Sequence, residues 1–125
     1  MAAFPRIIPT ALKRANAENT TLFLCDLQEL FRPLIFNMPA VIHNSELLNS
    51  VCNILNIPTI ITEQYPKAMG KTVPDITVHP HTKVFPKTFF SMMIPELKAE
   101  LSPTRKQVNT LIISFNVFIQ VHSLP

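Results

Sequence analysis

Residues 21–32 read TLFLCDLQELFR, and the fold follows from how this run changes character. Leu22, Phe23, Leu24 and Cys25 are consecutive apolar residues that stop abruptly at Asp26. An unbroken apolar run of strand length fits a parallel strand covered on both faces, because a strand with one wet face would alternate. Asp26 then stands at the carboxyl end of a buried strand, where open α/β sheets place their ligand crevices. A carboxylate there is either partly desolvated, and so a useful base, or the cap of a helix. Both readings stay open.

Working outward, residues 26–37 form a crossover containing Pro33, and a helix is predicted over 39–55. Val41, Ser45, Leu48, Cys52 and Leu55 recur at three and four residues, with Ile42, Leu47 and Val51 widening the apolar face. Pro39 suits the first helical turn, where its missing N–H is no loss, and Asn56 is a reasonable stop. Residues 57–62, IPTIIT, are β-branched and closed by polar residues, as in a second buried strand. Strand, long helix and strand make a βαβ unit, so the sheet is predicted to be parallel.

Residues 63–86 read as a long polar loop punctuated by Pro66, Gly70, Pro74 and Pro80. Loops of this length in a small domain tend to carry function. Glu63, Gln64 and Tyr65 open it at the same sheet edge as Asp26, where they either line a pocket or cap the loop. Val84, Phe85 and Pro86 predict a short third strand that delivers Lys87 to that edge. A lysine there either sits beside the carboxylate and stabilises a developing anion, or is merely exposed. A helix is predicted over 95–101, with Pro95 at its first position and Glu96 beside the positive end of its dipole. Residues 108–115 give the last clear strand, and 116–125 are apolar and β-rich without a helix signal.

Composition narrows the class. With 47% hydrophobic and 15% charged residues, the 125-residue chain can bury enough surface to fold as one small domain, which excludes disorder. One glycine against 12 prolines is unusual for an α/β domain, so its turns must be made differently. The net charge of +3 is scattered without a basic block or stripe, and nucleic acid is not an expected partner. No apolar run approaches the roughly 18 residues that span a bilayer, so no membrane is expected either. Cys25 and Cys52 read as buried thiols of a reducing compartment. The cytoplasm is therefore expected. Arg6, Lys13 and Arg14, with no acid before Glu18, leave a faint transit-peptide pattern and a mitochondrial alternative to a plain flexible tail over residues 1–20. His79 and His81 in VHPH lack an acidic or cysteine partner nearby; no metal and no cofactor are expected.

Three stretches taken together, 21–33 (TLFLCDLQELFRP), 57–76 (IPTIITEQYPKAMGKTVPDI) and 83–97 (KVFPKTFFSMMIPEL), resemble the isochorismatase-like hydrolase family, in particular the animal isochorismatase domain-containing proteins. The resemblance covers about residues 20–115 of a domain spanning 21–125. It implies a three-layer α/β/α fold with a parallel sheet, Rossmann-like in topology, and a pocket at the carboxyl ends of the strands. In the family an aspartate takes the proton of a cysteine, the thiolate attacks an amide or similar carbon, and a lysine helps hold the charge. Asp26 matches the aspartate and Lys87 the lysine, while Gln28, Phe31 and Tyr65 fall in the same motifs and would contact substrate.

The family cysteine is missing. It follows the fourth strand in the resemblance, yet residues 116–122 here are NVFIQVH. Cys25, adjacent to Asp26 on a strand, is predicted to point to the opposite face, Cys52 lies within the predicted helix, and Ser123 lacks a low-pKa nucleophile. The later strands and helices of the family are absent too, and the tail 116–125 diverges. This predicts a C-terminally truncated pseudoenzyme form, whether by splicing, frame change or gene model. The leading expectation is an inactive or crippled hydrolase domain; the alternatives are an active amide or enol-ether hydrolase in a full-length form, and a non-enzymatic interaction module. A small-molecule ligand, and homo- or hetero-oligomers through the exposed sheet edge, are the expected partners.

Overall fold

In the computed structural model, which describes residues 17–18, 20–101, 108–114 and 120–124 (the last two stretches through backbone pairing), the apolar run is the central strand. The strands are β1 (Thr20–Cys25), β2 (Thr59–Gln64), β3 (Lys83–Lys87), β4 (Val108–Ser114) and β5 (Gln120–Leu124). They form one sheet in the order β3-β2-β1-β4-β5. β1 pairs in parallel with both β2 and β4, and β2 in parallel with β3. β5 returns antiparallel along β4. The expected N-terminal tail lies, up to residue 16, outside the described residues, as do residues 115–119.

The continuous apolar character of β1 is explained by what lies on each side of it. Leu22 and Leu24 pack with Ile61 against Met38, Ile42 and Cys52 of α1 (Met38–Ile54). Phe23 and Cys25 pack with Ile60 against Met92, Ile94 and Leu97, the last in α3 (Pro95–Leu101). Helix, sheet and helix are the three layers predicted from the resemblance. Leu22, Leu24, Ile61 and Leu97 are fully buried, each worth about 1.5–3 kcal/mol of apolar transfer.

Two predicted details are displaced. α1 is rotated relative to the expected face: Met38, Ile42, Ser45, Asn49 and Cys52 are buried, whereas Leu47, Val51 and Leu55 are exposed. Polar residues occupy the inner face through hydrogen bonds made by their donors, although among the described residues Asn49 Oδ1 is buried without a partner. Asn49 Nδ2 donates to Thr77 O at 2.8 Å and Ser45 Oγ donates to Val41 O at 2.6 Å. β2 begins and ends two residues later than predicted, so Glu63 and Gln64 belong to the strand. Ile57 N still closes the helix end on Cys52 O at 2.7 Å. The long loop also holds a short helix, α2 (Pro66–Met69).

The shortage of glycine is met by other residues in the left-handed region: Asp26, Asn37, Asn56 and Tyr65 all have positive φ. Asp and Asn tolerate it; for tyrosine it is a true outlier. Gly70, at φ 78 and ψ 172, occupies a region open only to glycine. A Cβ there would also lie 3.4 Å from Glu29 Cβ. Gly70→Ala is therefore expected to lower stability by about 1–3 kcal/mol, read from the midpoint of urea unfolding.

Candidate functional site

Asp26 follows β1 directly and interrupts its alternation. Its amide still donates to Thr62 O at 3.0 Å, continuing the ladder, while its φ of 57 swings the side chain out of the strand's regular order. The carboxylate is thereby placed against β2. Oδ1 accepts the Thr62 hydroxyl at 2.9 Å, and Oδ2 accepts the Lys87 ammonium at 2.7 Å. Of the two readings of Asp26, the helix cap is excluded: Gln28 stands at the head of the 3₁₀ turn Glu29–Phe31 that follows.

Lys87 ends β3 and is paired in register with Gln64, so both side chains project to one face of the sheet. Its Nζ donates to Asp26 Oδ2 and Gln64 Oε1, both at 2.7 Å, and to the carbonyls of Phe89 at 2.9 Å and Phe90 at 3.0 Å. Its side chain is 0% exposed and that of Asp26 6%. The exposed alternative for Lys87 is thus overturned by a buried, hydrogen-bonded ion pair. An ammonium has three hydrogens, so four oxygen neighbours leave it fully occupied.

Thr62 is the site residue the sequence did not single out, while Gln64, expected at this sheet edge, takes the role of a support for Lys87. They sit two apart on β2, hence on one face, and each holds one half of the ion pair. The signal was present only in the register: Thr62 lies opposite Cys25 and Gln64 opposite Lys87.

The position of Cys25 corrects the expectation that it would face away from Asp26. Alternation fails at the left-handed residue, and the carboxylate comes to the side that Cys25 shares with Thr62. The thiol is close enough for Thr62, Asp26 and Lys87 all to act on its proton. Burial above all, and then the Asp26 charge, push its pKa up to about 12, outweighing the opposing pull of Thr62 and Lys87. Cys52 is also raised by burial and sits in the apolar layer under α1.

The other expected site residues are dispersed. Gln28 is fully buried with its amide occupied: Nε2 donates to Gln64 O at 2.9 Å and Gly70 O at 2.7 Å, and Oε1 accepts from Gln64 N at 2.6 Å. It braces the end of β2 from behind and does not offer a free group to a ligand. Phe31 is half-buried in the 3₁₀ turn. Tyr65, 50% exposed, lines a cavity of about 510 Å³ together with Pro66, Pro86, Phe89 and Ile94. Glu63 turns to the loop, where its Oε2 accepts from Thr72 N at 2.6 Å and Thr72 Oγ1 at 2.9 Å. Among the described residues no three His, Cys, Asp or Glu converge as metal ligands, and no helix is long and apolar enough to cross a membrane.

Comparison with known proteins agrees with this fold. The isochorismatase domain family matches residues 20–114. The chain is 46% identical over 91 residues to isochorismatase domain-containing protein 2 of Danio rerio, covering 70% of this chain and 44% of the relative. It is 40% identical over 104 residues to the secreted isochorismatase effector Isc1 of Phytophthora sojae (strain P6497), covering 78% and 50%. Among solved structures, the MAR1 ribonuclease from Caenorhabditis elegans superposes with a TM-score of 0.72 at 42% identity, over 80% of this chain and 53% of that one. A hypothetical protein from Trypanosoma cruzi gives 0.71 at 30% identity, over 88% and 59%. The chain spans about half the length of the curated relatives it matches.

Proposed function

Because this chain belongs to the isochorismatase family, we propose that it keeps the acid and the ammonium of a hydrolase site, Asp26 and Lys87, without a competent nucleophile, and so does not turn over substrate. The observation that carries this reading is the state of the thiol beside the pair. Nucleophilic attack needs a thiolate, and catalytic cysteines have lowered pKa values in exposed, electropositive surroundings. Cys25 is the reverse case, buried and pushed up to about 12. Cys52 is the one other cysteine in the chain; it belongs to α1 and packs in the core cluster that does not contain Cys25. Thr62 adjoins the carboxylate, but it already donates its proton to Asp26 and is 0% exposed. A base without a nucleophile forfeits the covalent route, a loss of several orders of magnitude in rate.

In this reading Asp26 is a proton acceptor with two lone-pair directions left after Thr62 and Lys87, and Lys87 supplies a fixed positive charge. Asp26 is the member of the pair that keeps acceptor capacity for a polar small molecule, because the Lys87 ammonium is fully occupied. The test is to incubate the 125-residue chain with small amides such as nicotinamide, with isochorismate, and with single-stranded RNA, the last because the similar Caenorhabditis elegans protein of known structure is named a ribonuclease. Product formation no faster than that of Asp26→Ala is expected for all three. Turnover that vanishes in Asp26→Ala would replace this reading with the active hydrolase, and the responding substrate would name its class.

A further inference from the structure

The end of the sheet opposite Asp26 carries a second group of polar side chains. In a parallel βαβ unit the helix runs back against the strands, so the last turn of α1 reaches the amino end of β2. There a cavity of about 370 Å³ lies between that turn, the start of β2 and the loop before β3. Asn53 and Asn56 line it from the helix end, Thr59 from the strand, and His79, His81 and Thr82 from the loop. Among the described residues its wall contains no acid, lysine or arginine.

Both histidines are carried on one closed turn. Thr82 N donates to His79 O at 2.9 Å and His79 N donates to Thr82 Oγ1 at 3.1 Å, with Pro80 in the second position, where its fixed φ suits a turn. Just upstream the loop is tied to α1. Glu46 accepts Thr77 N at 2.9 Å and Thr77 Oγ1 at 2.7 Å, and Asn49 Nδ2 donates to Thr77 O at 2.8 Å. Downstream β3 begins at Lys83, so the turn is anchored on both sides. Within it His79 Nε2 is buried and has no hydrogen-bond partner among the described residues. A buried polar atom left unpaired is costly, and this one calls for a partner from outside the chain.

The surroundings of that nitrogen select the partner. Neutral imidazole is a good ligand for zinc, copper and nickel ions. The carboxyl end of the 17-residue α1 presents the negative end of the helix dipole, about half an elementary charge, which favours a cation over an anion. Asn53, Asn56 and Thr59 add neutral oxygens. Magnesium and calcium prefer carboxylate-rich oxygen sets, which this wall lacks. We propose that His79 and His81 bind a divalent transition-metal ion of the zinc type, with neutral oxygens of the wall and water completing its coordination. In sequence the VHPH motif has no acid or cysteine nearby; in the fold the end of α1 stands in for the missing negative charge. This site does not depend on Asp26 and Lys87 acting on a substrate.

Zinc chloride is the probe, because zinc has no redox chemistry and leaves the thiols of Cys25 and Cys52 unoxidised. Equilibrium dialysis of the full chain, in a non-chelating buffer at mildly alkaline pH where imidazole is neutral, should show saturable binding of one zinc ion per chain. His79→Ala and His81→Ala should each weaken it at least about tenfold. His43→Ala, on α1 but outside the cavity wall, should leave it unchanged, and excess magnesium chloride should not displace the zinc. Far-UV circular dichroism checks that the variants fold. His81 is exposed, so its variant tests the site even where His79→Ala disturbs the loop. Absence of saturable binding, binding that survives in a folded His79→Ala or His81→Ala chain, an equal loss in His43→Ala, or displacement by magnesium would each overturn the site.

Discussion

Lys87→Met is expected to cost about 3–5 kcal/mol of stability, the usual result of removing one partner of a buried ion pair. Methionine keeps much of the lysine stem and removes the charge, so the change isolates the ammonium from its packing. What remains is a carboxylate 6% exposed at its side chain with the Thr62 hydroxyl as its hydrogen-bond donor. Gln64 Oε1 and the carbonyls of Phe89 and Phe90 lose the same donor. A loss of that size is a large part of the roughly 5–15 kcal/mol that holds a domain folded. Urea unfolding reads it as a lower midpoint at unchanged slope. Adding Asp26→Leu to Lys87→Met should recover part of the loss, because the uncompensated charge is then gone. A single-variant loss under about 1 kcal/mol would mean that the ammonium is solvated and the pair is a surface contact.

The strand, the two-sided core and the placement of Asp26 and Lys87 were legible because each rests on a local signal. An apolar run that ends on a carboxylate has few other readings, and Pro39 and Asn56 fenced the helix to within one or two residues of Met38–Ile54. What the sequence hid lies in pairwise geometry. Leu47 and Val51 look like core by spacing, but the inward position goes to Asn49, whose partners, Glu46 and the Thr77 carbonyl, include one 28 residues away. Thr62 and Gln64 look like polar residues that end a strand; only the register with Cys25 and Lys87 makes them the supports of the ion pair. Cys25 was put on the wrong side by a rule valid for extended backbone, at a strand end where φ turns positive. Local rules tend to fail where a site has been built, and this failure coincides with the acid.

Cys25 should be close to inert towards alkylation in the folded chain. The shift from its ordinary 9.0 to about 12 cuts the thiolate fraction at neutral pH about a thousandfold, and its 9% exposure limits access further. Iodoacetamide labelling, followed at the Cys25 peptide by mass spectrometry, should therefore run at least about a hundredfold slower in the native chain than in urea. The same shift has a consequence for stability. A thiol whose pKa is higher folded than unfolded favours the folded state fully below the unfolded value, and that contribution is lost as the pH rises. Between pH 9.0 and about 12 the unfolded chain gives up its Cys25 proton while the folded chain keeps it, so stability should fall by about 1 kcal/mol per pH unit. Cys25→Ala removes this part of the alkaline slope and leaves the share contributed by other groups. If Cys25 instead reacts as fast in the native chain as in urea, the thiol is both ionised and accessible beside Asp26 and Lys87. The site would then hold acid, ammonium and nucleophile together, and hydrolysis would follow from the geometry.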